Sequence, residues 1–298
     1  MYNKCLTVFA FLLLVGSKSF AQNADMKVME DSLVVTADSM YNAFISDQRI
    51  EYNEQFVKQL VRALKMPGSY NYPFTELQKT INIITPDDKK FRIFNWSIAP
   101  TDLTRRYYGA IQMNSQELKL YPLFDYSANL GKGGEDSTLT GGKWYGALYY
   151  RIIPHDIDGQ TVYTLFGLNA SSTISNKKLM DPLVITSNGP SFGAPIFNVR
   201  SEERPDERVN RFIIEYKKAV QASMNWDEDL NAVYFDKLVS DVNDPNRKYT
   251  YVPSGEYDGF KWDGGYWNYV RNLIPIDALK DGQAPTPIPV KGKEEKKK

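Results

Sequence analysis

The chain reads as an α+β fold, an N-terminal helical pair packed on a long antiparallel β-meander that forms a sheet, a sandwich or a partly closed barrel. Three observations predict it. Apolar residues recur at three- and four-residue steps from Asp25 to Met66 and then lose that period. Beyond Met66 short aromatic and β-branched runs alternate with turn residues, the pattern of consecutive antiparallel strands. The connections between those runs are mostly short.

In the helical part Met29, Leu33, Ala37, Met40 and Phe44 mark one stripe and Phe56, Leu60, Val61 and Leu64 a second, which predicts two helices joined near Ser46-Asp47. Met66-Pro67-Gly68 ends the second, because proline disfavours helix in the residue before it and glycine tolerates the turn. Strands are expected at Phe91–Ile98, Arg106–Met113, Leu118–Phe124, Trp144–Ile153, Val162–Gly167, Leu183–Thr186, Phe212–Lys217, Ala222–Trp226, Ala232–Phe235 and Tyr249–Val252. Pro154 to Gln160 reads as a hairpin with Asp158-Gly159 at its tip, and Ser187-Asn188-Gly189-Pro190, Asn225 to Asp229 and Asp244-Pro245-Asn246 mark further turns. The Gly-, Ser- and Thr-rich stretch from Asn129 to Lys143 is expected as a mobile loop. No repeat of fixed period argues for a propeller.

Residues 1–21 read as a signal peptide: Lys4, an apolar run from Cys5 to Val15, and Ser19-Phe20-Ala21 as a small-x-Ala cleavage site. The run is about half of the roughly 20 residues a spanning helix needs, so cleavage and export are expected rather than a retained anchor. Cys5 precedes the apolar run, the wrong side for lipidation. Residues 22–281 are then one domain, helical over 25–66 and β-rich over 81–275, and residues 282–298 a disordered Pro- and Lys-rich tail. The expected location is periplasmic or associated with the outer membrane.

Composition narrows the chemistry. The only cysteine leaves with the signal, so a disulfide and a thiol nucleophile are excluded from the mature chain. One histidine, His155, excludes a multi-histidine metal site, and neither a metal nor a cofactor is expected. The 36 basic and 36 acidic residues of the chain become 29 and 34 over residues 22–290, which is no electrostatic footprint for nucleic acid. No second apolar run is long enough to span a membrane.

Several strings occur together: Phe91-Arg92-Ile93-Phe94-Asn95-Trp96, Tyr108-Gly109-Ala110-Ile111-Gln112, Trp144-Tyr145-Gly146-Ala147, Ser175-Asn176-Lys177-Lys178 and Gly193-Ala194-Pro195-Ile196-Phe197. With them, and in a similar order through Tyr163-Thr164-Leu165-Phe166-Gly167 to Tyr257-Asp258-Gly259-Phe260, the chain resembles an exported, uncharacterised family of Bacteroidetes-type bacteria. The resemblance covers most of the mature chain. It implies an envelope location and a shared fold, and no activity.

Five places offer candidate chemistry. Tyr257, Trp262 and Trp267, with Asp258 and Asp263 between them, fit a glycan platform, rings against the C–H face of a pyranose and carboxylates on its hydroxyls; a strand-turn-strand with Asp263-Gly264-Gly265 at the tip and rings in the core explains the same string. His155 with Asp156 and Asp158 reads as an exposed turn before a ligand site. Asp125, Asp227, Glu228 and Asp229, near strand ends, would serve a glycosidase if two of them faced each other. Lys177-Lys178 suits an anionic partner or the guarding of a sheet edge, and Gly131-Lys132-Gly133-Gly134 a flexible loop rather than a phosphate site. The expected function is an exported, non-enzymatic binding or assembly component whose partner is an envelope protein or glycan; the competing class is a carboxylate-dependent hydrolase of envelope polysaccharide.

Overall fold

Helix formation follows the apolar spacing: α1 covers residues 24–42 and α2 Ser46–Leu64. The computed structural model describes residues 24–101, 104–199 and 207–275, so the expected signal peptide and tail lie outside the described residues. Leu33, Ala37 and Met40 of α1 and Phe56, Leu60 and Leu64 of α2 share one core. Their link falls at 43–45, just ahead of the expected joint. Phe44, expected on the buried stripe, is 94% exposed there, because outside the helix its distance from Met40 no longer fixes its direction. Glu30 sits on the buried face of α1 and ties it to the segment after α2, accepting from Tyr72 Oη (2.7 Å) and from the Glu76 and Leu77 amides (2.8 and 3.1 Å).

The strands divide into three sheets. The first is β1 (Asn82–Ile84), β2 (Phe91–Ile98), β3 (Arg106–Met113) and β4 (Leu120–Phe124), in sequential order. A one-turn helix α3 (Ser127–Leu130) and the short β5 (Leu139–Thr140) lead to β6 (Leu148–Ile157), β7 (Gln160–Asn169), β8 (Ser175–Thr186) and β9 (Gly189–Phe192), the second sheet, in order β5-β9-β8-β7-β6. The third takes β10 (Phe197–Val199), β11 (Glu207–Val209), β13 (Met224–Asp227), β14 (Ala232–Ser240), β15 (Tyr251–Asp263) and β16 (Tyr266–Ile274), in order β11-β10-β16-β15-β14-β13. Between them in sequence, β12 (Phe212–Lys217) returns to pair with β8. Named strands pair antiparallel throughout except β10 with β16. The expected meander is therefore three meanders of four sequential strands, stacked open rather than closed into a barrel.

Alternation along single strands shows how the layers stack. On β2, Phe94, Trp96 and Ile98 meet the helices while Phe91 and Ile93 meet the second sheet. On β7, Tyr163 and Leu165 face the first sheet while Val162 and Phe166 face the third. Both strands are buried along most of their length on two faces, so apolar residues occupy both parities, and Arg92 and Asn95 within β2 are hydrogen-bonded inside the protein. The order is helices, first sheet, second sheet, third sheet. Burying a large side chain in these cores stabilises by roughly 1.5–3 kcal/mol each.

β2, β3 and β12 have the expected bounds, but β8 begins well before Leu183, at Ser175. Asn176, Lys177, Lys178, Asp181 and Pro182 break its apolar pattern, while β7 on one side and β12 on the other supply its hydrogen bonds. Lys177 and Lys178 therefore guard no sheet edge. Lys177 lies 3.8 Å from Glu215, and Lys178 lies 5.3 Å from the Tyr150 ring centre. Residues 129–143, expected as a mobile loop, are stitched to the body: Leu139 is buried, and the Glu135 carbonyl accepts from the amides of Asn210 and Arg211 at 2.9 Å each.

One charged pair lies inside the core between the first two sheets. Arg211 Nε donates to Asp181 Oδ1 at 2.8 Å, Tyr149 Oη donates to Oδ2 at 2.8 Å, and Trp144 Nε1 donates to Tyr149 Oη at 2.7 Å. Arg211 Nη2 is also 2.8 Å from Oδ1, close enough for ion pairing but too bent for a second hydrogen bond. Full burial pushes the Asp181 carboxyl above its ordinary range, and the guanidinium works against that shift.

Candidate functional site

The hairpin of β15 and β16 separates the residues expected as a platform. Gly264 and Gly265 turn it, both at positive φ (+59° and +82°), so Trp262 and Trp267 stand directly opposite one another and point to the same face. That face is the core. Trp267 is fully buried, and its Nε1 donates to Thr164 Oγ1 of β7 at 2.9 Å; its ring meets Trp262 edge-on at 5.2 Å. Tyr257 lies five residues before Trp262 on the same strand, an odd step, so it points to the opposite face and meets Tyr234 at 5.8 Å. Asp258 is buried and structural, accepting from Tyr269 Oη and from the Asn272 amide (2.9 Å), where β16 carries an irregularity opposite Tyr257 and Gly259. Asp263 is exposed at the tip, its carbonyl taken by Asn268 Nδ2 (3.2 Å). The five residues form no common ligand surface.

His155 is not an exposed turn residue. The tip falls at Asp158-Gly159 as expected, but β6 runs through His155 to Ile157 and carries the imidazole into the gap between the second and third sheets. It stacks on Trp262 at 3.7 Å and meets Trp267 edge-on at 4.8 Å. Its Nε2 is buried with no hydrogen-bond partner among the described residues, and burial pushes its pKa down to about 4. Asp156 instead caps the turn, accepting from the Gly159 amide at 3.0 Å.

The carboxylates proposed as an acid pair are dispersed. Asp227 accepts from the Leu230 amide (2.9 Å) in the β13–β14 turn, and Glu228 pairs with Arg151 at 3.0 Å. Asp229 is exposed on that turn. Asp125 lies elsewhere, just after β4.

Asp125 belongs to an open cleft of about 630 Å³ at one end of the stack, where β3 begins, β4 and β7 end, and β8 starts. Its basic lining is Arg105, Arg106 and Lys177, and its neutral polar lining includes Ser127, Asn129, Asn169, Ser171 and Ser172. The floor is cross-linked. Asp125 accepts from the Tyr107 amide (3.1 Å) and from the Ser127 amide and hydroxyl (3.0 and 2.7 Å). Asn169 Nδ2 donates to the Gly146 carbonyl (2.6 Å), and its Oδ1 accepts from the Ser171 amide and hydroxyl (3.0 and 2.6 Å). Gly146 must be glycine, because a Cβ there would collide with the Asp125 carboxylate. Lys218, beneath the β7–β8 turn, donates Nζ to the carbonyls of Ala170 (2.8 Å) and Ser172 (2.9 Å). Burial lowers its pKa first, and the positive charge of Arg105 lowers it further.

Of the four charged residues lining this cleft three are cations, on a body that is mildly acidic. The acid is committed to backbone and hydroxyl donors, whereas Arg105 and Arg106 are exposed. Compared with protein-family models, curated proteins and solved structures, the chain matches none.

Sequence reasoning singled out Asp125 and Lys177 but not Arg105, Arg106, Asn169, Ser171 or Ser172. The one local signal was the Arg105-Arg106 pair at the mouth of an expected strand. What assembles the cleft is the pairing of β7 with β8 and the packing of two sheets, and neither is written in a local pattern. A separate feature lies on the helical layer, where Val28, Val35, Phe44, Ile45 and Ile50 are exposed.

Proposed function

We propose that the chain is an exported cell-envelope protein that binds a glycan, through the cleft lined by Arg105, Arg106, Asn169 and Lys177, without turning it over. The observation that carries the reading is that cleft: about 630 Å³, within the size range of small-ligand sites, rigidly floored, with guanidinium, amide and hydroxyl groups converging on it. Export is supported by the signal-like order of residues 1–21 and by the resemblance to an exported family. Packing alone holds the mature chain, which suits an extracytoplasmic binding protein without disulfides.

Two measurements test it. Expressed with residues 1–21 intact in a bacterial host, the protein should appear in the periplasmic or outer-membrane fraction with an intact mass starting at Gln22; a full-length cytoplasmic product overturns export. Solubilised envelope polysaccharide added to the labelled protein should shift the amide resonances of Asn129, Asn169, Ser171 and Ser172 without releasing reducing ends. Unmoved resonances overturn the cleft, and released reducing ends overturn binding without turnover.

A further inference from the structure

Resting on the cleft reading above, we infer that the ligand is an acidic glycan, and that Arg105, Arg106 and Lys177 take its carboxylate. Charge sets the sign. Three cations face the cleft, Lys218 adds a fourth behind its wall, and the single lining carboxylate, Asp125, has both oxygens occupied by the Tyr107 and Ser127 donors. Lys177 is only loosely held, 3.8 Å from a Glu215 that also accepts from Ser175 Oγ. Arg105 spends Nη1 on the neighbouring Thr104 carbonyl at 2.9 Å, and Arg106 lies 5.9 Å from the Tyr108 ring centre, so neither guanidinium is spent on an acid in these contacts. A guanidinium fork matches a planar carboxylate in two parallel hydrogen bonds, which an ammonium cannot do.

The rest of the lining favours a sugar over a peptide. Asn129 brings an amide, and Ser171, Ser172 and Thr104 bring hydroxyls, groups that match sugar hydroxyls in both donor and acceptor roles, over a floor set by Asn169. A peptide bound by strand addition needs a free sheet edge, and beside the cleft Arg106 pairs with Ile98 of β2, the outer edge of β4 is taken by Trp144 through bonds to Phe124 and Tyr126, and β8 at Lys177 is paired by β7 and β12.

Titration calorimetry of the mature protein with a galacturonic-acid trisaccharide, the galactose trisaccharide of the same linkage, inorganic phosphate and an acidic hexapeptide separates the possibilities. The acidic trisaccharide should bind at least tenfold more tightly than the neutral one and than phosphate. Arg105→Gln with Arg106→Gln should remove at least tenfold of that affinity with the unfolding midpoint unchanged, because both are exposed, and Lys177→Gln, at a half-buried position beside Glu215, should remove a smaller share. Equal binding of the two sugars, unaffected by the substitutions, overturns the carboxylate while the glycan reading stands. Phosphate or the hexapeptide binding as tightly as the acidic sugar overturns the ligand class. If neither sugar binds, this inference and the glycan reading fall together.

Discussion

The two cores that flank the second sheet solve opposite problems with the same strands. On the side of the first sheet, Asp181 and Arg211 are fully buried and joined to Tyr149 and Trp144 in one hydrogen-bonded chain. On the side of the third sheet the filling is aromatic: Phe212 packs on Phe235 and Phe260 at 4.9 and 4.8 Å, and the bond from Trp267 to Thr164 ties the layers. Neighbouring residues feed the two sides, Arg211 one and Phe212 the other, Asp181 one and Met180 the other. Alternation along a strand lets one sheet bury a charged pair on one face and pack mainly aromatic and aliphatic side chains on the other. The lesson is that a buried charge is tolerated where its partners are built in beside it, and the aromatic side shows the cost when one partner is missing: His155 Nε2 has none among the described residues.

The sharpest way to break this comparison is to unpair the charge. Arg211→Met should leave Asp181 with only the Tyr149 hydroxyl and destabilise the protein by roughly 3–5 kcal/mol, read from urea unfolding. Adding Asp181→Leu should recover a large part of that loss, because the penalty lies in the stranded carboxylate and not in the absence of the pair. If the double variant is as unstable as the single, the pair is a packing element and the contrast between the two cores dissolves. On the aromatic side, Trp267→Phe should cost about 2 kcal/mol, from lost ring volume and from the bond to Thr164. Its effect should add to that of Arg211→Met, since the two sites share no partner.

How far these regions were legible follows from what each depends on. Strands β2, β3 and β12 were readable because their own residues are β-branched and aromatic, and Arg92 did not disturb β2. That guanidinium finds Gln112 Oε1 at 2.9 Å and the carbonyls of Tyr72 and Ser69 at 2.7 Å each, partners distant in sequence. β8 was half lost because its first residues are polar and are strand only through β7 and β12. The Asp263-Gly264-Gly265 tip is legible, and its geometry already places the rings: a two-residue turn puts Trp262 opposite Trp267, and an odd spacing sends Tyr257 to the other face. What no local pattern contained was which face would be covered. The platform failed on that point, and the cleft escaped notice for the same reason, since its members come from four strand ends brought together by layer packing.

The smallest expected effect tests whether the aromatic core behaves as a closed layer. His155 in the folded protein has its pKa pushed from the ordinary 6.5 down to about 4 by burial, so between those values the unfolded chain binds a proton that the folded chain refuses. Stability therefore rises with pH across this window: the contribution is complete above about 6.5 and is lost as pH falls towards 4. Partial access to water reduces the cost to about 1 kcal/mol. Urea unfolding at pH 7 and pH 5 should show that loss in the wild type, and His155→Phe, which keeps a ring against Trp262 but cannot titrate, should lose about 1 kcal/mol less over the same interval. Equal losses in the two proteins would mean that water reaches the imidazole between the sheets, and that the third sheet opens against the second more readily than the first does.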